Sequence, residues 1–278
     1  RFTAMASPCE VLIETADLTL AQRVFDAITC EAMRIEQKFS RYRDDNIIYQ
    51  INNAAGKTIP VDEECTRLID FADQLYELSE GLFDITSGVL RQVWKFDGSS
   101  RLPKRAAVAR VLDHVGWQKV SWKNRTLKMK AGMEIDLGGI GKEYAVDRCV
   151  QIARSITDVS VLINFGGDLA TSGKRLRGRH WSVGRFITGK ENTLALFQLR
   201  RGAIATSGDA YRFLLKNGVR YSHVLNPKTG WPVPSTPHTV SVAAATCVDA
   251  GMLSTLAMLQ GEQAEAFLKL QEVNYWLD

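Results

Sequence analysis

The stretch MEIDLGGIGKEYAVD at residues 133–147 organises the predicted fold, because it indicates a strand, a glycine turn and a helix in direct succession. Glycine occupies positions 138, 139 and 141, which allows the backbone to turn sharply and to approach a ligand closely. A helix that begins after such a turn directs free N–H groups and the positive end of its dipole at whatever lies there. The stretch is therefore either an anion-binding turn or a turn whose glycines serve packing alone.

The spacing of the glycines excludes two common phosphate-binding motifs. Gly139 and Gly141 begin a dinucleotide fingerprint, but Tyr144 stands where its third glycine should be. The later stretch GDLATSGKR, residues 167–175, has one residue too many between its glycines for a triphosphatase phosphate loop. It also has an arginine where that loop needs a hydroxyl for Mg²⁺. A nucleotide site in this chain would belong to neither class.

Size and composition predict a globular protein with a full-size core. The 278 residues, 45% of them apolar, suffice for one large domain spanning 1–278 or for two intimately packed lobes, and no linker is visible. The net charge is only +4 and the basic cluster at 174–179 is local, so we expect no nucleic-acid partner. No apolar run approaches the roughly 18 residues of a membrane span, and no secretory signal is evident.

The cysteines and histidines constrain the chemistry further. Five widely spaced cysteines without a CxxC pair argue against a disulfide framework and against a metal cluster, and they favour a reducing compartment. Four histidines in the whole chain argue against a histidine-rich metal centre.

Apolar periodicity predicts the α+β class, with loops that gather where strands end. Helical spacing predicts a helix after the central turn, a short helix through Leu90 and Val93, a basic-rich helix within 101–116, and helices over 20–39, 63–79, 247–259 and 262–270. Extended patterns predict strands over 3–14, 159–164 and 239–244, a hairpin of 119–122 with 126–130, and a strand-rich region over 181–206.

Three features outside the central stretch have two interpretations each. Tyr42, between two arginines in a loop, either stacks on an aromatic ligand or covers the surface. The strand before residues 166–168, Gly-Gly-Asp, brings backbone close to a neighbour or to a ligand. His223, just before an Asn-Pro-Lys-Thr-Gly turn, is either structural or a general base.

Taken together, these motifs resemble those of the ApbE family, the FAD:protein FMN transferases. The resembling segments follow one another through essentially the whole chain: Met5, 39–45, 83–88, 136–142, 166–168, 205–208, 223–230 and 253–255. The resemblance implies a single large α+β body related to the T-fold, with mixed sheets, flanking helices and a ligand cleft at strand ends. It also implies a Mg²⁺-dependent enzyme that cleaves FAD, attaches FMN to a Thr or Ser of a target flavoprotein and releases AMP. The target would carry an acceptor motif of the form Asp-x-x-Ser/Thr-Gly-Ala-Thr/Ser.

The resemblance assigns roles to individual residues. His223 becomes the general base that takes the proton of the acceptor hydroxyl. Metal ligands would be the Gly139 carbonyl, Thr255 and Asp249. FAD contacts would come from Met5, Tyr42, Phe83, Asp84, Ile85, Asp136, Lys142, Gly166, Gly167, Asp168, Ser207 and Leu225.

The chain departs from the family pattern at two positions. Asn226 replaces the usual aspartate beside the proposed base, and Gly251 replaces the metal-binding aspartate four residues before Thr255. Asp249 lies two residues earlier, about 200° around a regular helix. Either Asp249 substitutes, or the ion is held by Gly139, Thr255, phosphate and water, or transfer is impaired. An FAD carrier and an FAD pyrophosphatase yielding FMN and AMP are therefore the alternative functions.

Two further expectations concern modification and location. Residues 84–90 imitate an acceptor motif, but Leu90 stands where the acceptor hydroxyl should be, so we expect no self-flavinylation there. The resemblance implies a bacterial protein, and since many family members are periplasmic lipoproteins, the compartment stays open between cytoplasm and periplasm.

Overall fold

The computed structural model describes residues 1–186, 194–209 and 212–278. The helices of this part are α1 (Leu18–Phe39), α2 (Ile47–Asn52), α3 (Glu63–Leu78), α4 (Arg105–Leu112), α5 (Gly141–Ile156), α6 (Cys247–Leu259) and α7 (Ala264–Leu270). Its strands are β1 (Phe2–Ala4), β2 (Ser7–Ile13), β3 (Ile59–Pro60), β4 (Ser121–Lys123), β5 (Thr126–Lys128), β6 (Val161–Phe165), β7 (Asp168–Thr171), β8 (Trp181–Phe186), β9 (Leu194–Leu199), β10 (Ala203–Gly208), β11 (Phe213–Lys216), β12 (Val219–Ser222), β13 (Leu225–Asn226), β14 (Trp231–Pro232), β15 (Thr239–Ala244) and β16 (Asn274–Leu277).

Seven strands form the main sheet, in the order β1-β2-β6-β7-β10-β15-β16. The predicted α+β class is confirmed, but the expected mixed sheets are antiparallel in every pairing of the described residues. Two of these antiparallel pairings follow from two-residue turns, because a turn that short can join only antiparallel strands. One turn joins β1 to β2 through Met5 and Ala6. The other joins β6 to β7 through Gly166 and Gly167, whose φ values of 62° and 101° favour glycine.

The helices pack in a layer that covers the middle of this sheet. α5 contacts β6 and β7, α6 contacts β10 and β15, and α1 packs onto α5. The largest core cluster joins residues of α1, α3 and α5 with residues of β2 and β6. Helices α5 and α6 also contact each other, which places the N-terminal part of α5 beside α6. In the described ranges, none of the helices has the length and apolar character that crossing a bilayer requires.

Most predicted elements are found close to their predicted limits. α6 and β15 begin and end where the sequence places them, and the segment 3–14 is extended but broken by a turn at Met5 and Ala6. The basic-rich helix is shorter than 101–116, because Pro103 and the loop before it delay its start to Arg105. Part of the region 181–206, residues 187–193, lies outside the described residues.

The predicted strand at the start of the central stretch is wrong. Residues 133–137 are extended and every second one is buried, but they pair with no strand among the described residues. Instead, the side chain of Asn52 bonds both the N–H and the C=O of Ile135, at 2.8 and 3.0 Å. The next N–H, that of Asp136, donates to the Ile85 carbonyl at 2.9 Å. An alternating pattern indicates burial on one side but does not identify the hydrogen-bond partner.

Candidate active site

Two tight turns lie side by side at one end of the main sheet. Met5 is half-buried and has a φ of 52° in the turn between β1 and β2. The Gly166 N–H donates to the Pro8 carbonyl at 2.9 Å, which ties the second turn to the first. A Cβ on Gly166 would lie 2.7 Å from Ser7 Oγ, so only glycine fits this approach. The structure thus brings together Met5, Gly166 and Gly167, three of the predicted FAD contacts, at strand ends.

Asp168 follows this turn and forms an ion pair with Lys142. Its carboxylate is only 2% exposed and lies 2.8 Å from Lys142 Nζ on the first turn of α5. Its Oδ1 also accepts the Thr206 N–H at 3.1 Å, which connects β7 to β10. Burial raises the pKa of Asp168, while the Lys142 ammonium acts in the opposite direction. Two predicted contacts, Lys142 and Asp168, are therefore direct partners.

Hydroxyl groups line the neighbouring face of α6. Gly251, Ser254 and Thr255 share this face because they are three and four residues apart. Ser207 Oγ on β10 lies 2.8 Å from Ser254 Oγ and 3.1 Å from Thr255 Oγ1. Ser254 also donates to the Gly251 carbonyl at 3.0 Å. The predicted residues Ser207 and Thr255 thus meet where β10 contacts α6.

Glu143 joins this group, although it is not among the site residues that the sequence predicts. Its side chain is 7% exposed and lies over Gly251, so that a Cβ there would be 2.5 Å from Glu143 Cγ and 3.0 Å from Oε1. Its Oε2 has no hydrogen-bond partner among the described residues. Burial, reinforced by the Asp168 carboxylate, raises the pKa of Glu143. One signal was available, since Glu143 precedes Val146 and Val150 at helical spacing and so belongs to the buried stripe.

Asp249 lies elsewhere on α6, in its first turn. Its N–H donates to Thr246 Oγ1 at 3.1 Å, and its charge acts on Asp147, which accepts two N–H groups at the start of α6. Asp249 precedes Thr255 by six residues, which is about 9 Å along a helix. Within residues 1–186, 194–209 and 212–278, no three side chains of His, Cys, Asp or Glu converge to form a complete metal site.

Asp136 lies on the other side of the glycine turn, in a cluster with Arg41. Arg41 Nη1 is 2.8 Å from Asp136 Oδ2, and the Gly138 N–H donates to Oδ1 at 3.0 Å. A Cβ on Gly88 would lie 2.6 Å from the Asp136 Cβ, so the segment after Ile85 packs closely here. Arg41 also donates to the hydroxyl of Tyr42 at 3.0 Å and lies over its ring. Tyr42 itself is 78% exposed, although Arg41 lies over one face of its ring.

The segment Phe83 to Ile85 is buried beneath the glycine turn. A Cβ on Gly139 would lie 3.2 Å from the Phe83 ring. Asp84 is 7% exposed and accepts three hydrogen bonds, from Thr86 N and Oγ1 at 2.8 and 2.6 Å and from Trp117 N at 3.0 Å. The sequence predicts Asp84 as an FAD contact, whereas the structure uses its carboxylate to hold the local backbone together.

His223 lies between β12 and β13, and its neighbour Val224 packs against the main core and against residues of α6. Its Nδ1 is 3.1 Å from the Arg212 carbonyl, and its ring meets Phe96 edge-on. A carbonyl oxygen only accepts, so we assign the imidazole proton to Nδ1, which leaves the Nε2 lone pair to accept a proton. Burial lowers the pKa of His223 and favours the neutral ring. Residues 210–211, close by in sequence, lie outside the described part of the chain.

The turn after His223 is attached to the helical turn at residues 85–92. Asn226 accepts the Lys228 N–H through its side-chain oxygen at 2.8 Å, a bond that an aspartate at this position would also make. The Gly230 carbonyl accepts from Trp94 Nε1 at 2.8 Å. Leu225, a predicted FAD contact, is half-buried and packs in the same apolar cluster as Trp94. The departure at Asn226 therefore leaves the turn intact.

Comparison with known proteins places this arrangement in a family. The model of the ApbE family matches residues 5–277. An FAD:protein FMN transferase of Klebsiella pneumoniae (strain 342) is 28% identical over 277 residues, 96% of this chain and 84% of the relative. One of Chlamydia pneumoniae is 29% identical over 241 residues, 84% of this chain and 75% of the relative.

A solved structure is similar over the whole length. The crystal structure of an ApbE protein from Thermotoga maritima is 29% identical and superimposes with a TM-score of 0.89, covering 100% of this chain and 92% of that protein. The family model and the fold agree over nearly the whole chain, and the chain belongs to the ApbE family.

Proposed function

We propose that this chain transfers FMN from FAD to a Thr or Ser hydroxyl of a target flavoprotein, with release of AMP, in a Mg²⁺-dependent reaction. Relatives matched over most of their length carry the name FAD:protein FMN transferase, which supports the flavin transfer. The observation that carries the proposal is the 3.1 Å contact between His223 Nδ1 and the Arg212 carbonyl. Because a carbonyl only accepts, we assign the ring proton to Nδ1, which leaves Nε2 able to accept another.

The chemistry balances with a single base. The acceptor hydroxyl attacks the FMN phosphorus, the bond from that phosphorus to the bridging oxygen breaks, and AMP leaves with that oxygen. His223 Nε2 takes the hydroxyl proton as the new O–P bond forms and then passes it to solvent. Since burial lowers the pKa of His223, the ring is neutral at pH 7 and able to do this.

The FAD contacts divide between the two sides of the glycine turn. On the flavin side the contacts would be Met5, Tyr42, Phe83 and Ile85, and Asp84 would act indirectly by holding the segment that carries Phe83 and Ile85. No side chain caps the N-terminus of α5, and its N–H groups suit a phosphate. The remaining contacts would be Asp136, Lys142, Gly166, Gly167, Asp168, Ser207 and Leu225.

The residues of the site suit Mg²⁺. A cation of this kind prefers oxygen donors and keeps phosphate and water among its ligands. The Gly139 carbonyl, the Thr255 hydroxyl and a carboxylate would supply them, and the unpaired Oε2 of Glu143 marks a place beside α6 where positive charge is lacking. When bound, the ion would neutralise the charge that develops on the breaking diphosphate.

Incubation with FAD, Mg²⁺ and a target domain tests the proposal. The target should carry the acceptor motif Asp-x-x-Ser/Thr-Gly-Ala-Thr/Ser, and a matched target with Ala in place of the last hydroxyl serves as control. We expect covalent flavin fluorescence on the first target alone, with one AMP released per flavin attached. Free FMN and AMP without labelling would indicate a pyrophosphatase, and intact bound FAD a carrier. Either result would contradict transfer.

A further inference from the structure

Helix α6 lacks a carboxylate where its hydroxyl face needs one. Gly251 lies one turn before Thr255, on the same face, and has no side chain to offer a cation. Ser207 and Ser254 add hydroxyls but no charge. A divalent cation held here by neutral oxygens alone would be bound weakly, because carboxylates are its usual protein ligands.

The space that Gly251 leaves is filled from the neighbouring helix. Glu143 on α5 extends across α6 so closely that a Cβ on Gly251 would lie 2.5 Å from its Cγ, 3.0 Å from its Cδ and 3.0 Å from Oε1. An aspartate at position 251 and the observed Glu143 side chain would therefore compete for the same volume. The two carboxylates are alternatives at one place, supplied by different helices.

One oxygen of the Glu143 carboxylate also lacks a hydrogen-bond partner among the described residues. The side chain is 7% exposed, and this oxygen is Oε2. The nearby ammonium of Lys142 lies against Asp168, at 2.8 Å. An unpaired carboxylate in such a position costs free energy unless it gains a proton or a cation. By contrast, the buried Glu31 on α1 bonds both Arg34 and Arg148.

We propose that Glu143 is the carboxylate ligand of the divalent cation in this chain, in the place that a side chain at Gly251 would otherwise take. The inference deepens the proposed function and rests on it. Thr255, one turn from Gly251 on the same face, would be a co-ligand, and Asp249 would have no part in the site. In this chain α5 would supply the carboxylate that the family pattern places on α6 at position 251. The cation would still be bound by one carboxylate and the Thr255 hydroxyl.

Cation affinity tests this directly, without reference to turnover. Mn²⁺ binding to the FAD-loaded protein is followed by electron paramagnetic resonance, and Mg²⁺ competition gives the second affinity. Glu143→Gln keeps the size of the side chain, and we expect it to weaken Mn²⁺ binding by about tenfold or more. Glu31→Gln, a matched change at a buried glutamate outside the site, should leave the affinity unchanged. Asp249→Asn should also leave it unchanged.

A reciprocal variant tests the exchange between helices. Glu143→Gly combined with Gly251→Asp should bind Mn²⁺ within about threefold of the unaltered chain, a difference below 1 kcal/mol. Circular dichroism and thermal melts without metal confirm that each variant is folded. Undiminished affinity in Glu143→Gln, or a loss confined to Asp249→Asn, would overturn the inference. Failure of the proposed function would appear differently, as absent FAD binding or absent labelling by the unaltered chain.

Discussion

Asp84 and Glu143 are equally buried carboxylates with opposite surroundings. Each is 7% exposed. Asp84 accepts hydrogen bonds from Thr86 and Trp117 on both oxygens, whereas Oε2 of Glu143 has no partner among the described residues. Burial raises the pKa of both, so burial alone does not separate them. The difference teaches that a satisfied carboxylate holds the fold together, while an unsatisfied one marks a place for a ligand.

The largest effect is expected when the Glu143 carboxylate is replaced by an amide. Glu143→Gln should lower the rate of FMN transfer by about 100-fold, because the cation loses its ligand. The free energy of unfolding without metal should stay equal or rise, because burial makes the ionised form of Glu143 costly in the folded protein and the amide avoids that cost. Transfer assays at saturating FAD and urea melts measure the two effects. A destabilised protein with normal transfer would reverse the assignment.

The same carboxylate-to-amide change at Asp84 should have the opposite result. Asp84→Asn replaces one accepting oxygen by an NH₂ group that faces the N–H of Thr86 or Trp117, so we expect a loss of about 1–3 kcal/mol in the free energy of unfolding. Mn²⁺ affinity of the folded variant should be unchanged. Thr86→Val removes one hydrogen bond to the same carboxylate and leaves the Gly116 N–H without its acceptor, so it should also lower stability and leave Mn²⁺ affinity unchanged. Weakened Mn²⁺ binding without loss of stability would show that Asp84 belongs to the metal site.

The pH dependence of stability and of transfer distinguishes His223 from the two carboxylates. Its folded-state pKa is lowered by burial, so below the ordinary value near 6.5 the unfolded chain binds a proton that the folded chain does not. The stability contributed by this group is thus complete above pH 6.5 and is lost as pH falls towards the lowered pKa. Transfer should decline on the same acid side, about tenfold per pH unit once the ring is charged. A pH–rate profile of Glu143→Gln with the same acid limb would separate the base from the metal site.

The contact between Gly251 and Glu143 predicts an energetic coupling between the two positions. Gly251→Ala places a Cβ against Glu143 Cγ and should cost about 1–3 kcal/mol of stability through overpacking. In a Glu143→Ala background the same change should cost little, giving a coupling energy of at least about 1 kcal/mol. Urea melts of the four proteins complete this cycle. Additive effects would mean that the two residues do not meet.

The sequence predicts the regular parts of the fold well because their signals are local. α6 and β15 are found at their predicted limits, since the apolar spacing that predicts them lies within the elements themselves. The extended segment 133–137 is misread as a strand because its hydrogen bonds come from the side chain of Asn52, far away in the chain. Periodicity reports burial, and hydrogen-bond partners depend on tertiary structure.

The sequence predicts the site residues that lie in or beside glycine turns, because such turns are visible in the sequence itself. The turn at Gly166 and Gly167 and the neighbouring Asp168 are found at strand ends as expected, and the pairing of Asp168 with Lys142 adds what only the fold could show. The sequence does not predict Glu143 as a site residue, because the role of its carboxylate depends on the contact with Gly251 on another helix. Neither position is informative until α5 and α6 are packed together.

The most direct test of the account is the position of the cation itself. A crystal of the protein with FAD and Mn²⁺, measured at the manganese edge, should give an anomalous peak at direct bonding distance from Glu143 Oε2, close to the roughly 2.0–2.1 Å of Mg²⁺–oxygen bonds, and near the Thr255 hydroxyl. A peak bound to Asp249, or one held by phosphates and water at a distance from Glu143, would contradict the claim that this open carboxylate is the metal ligand.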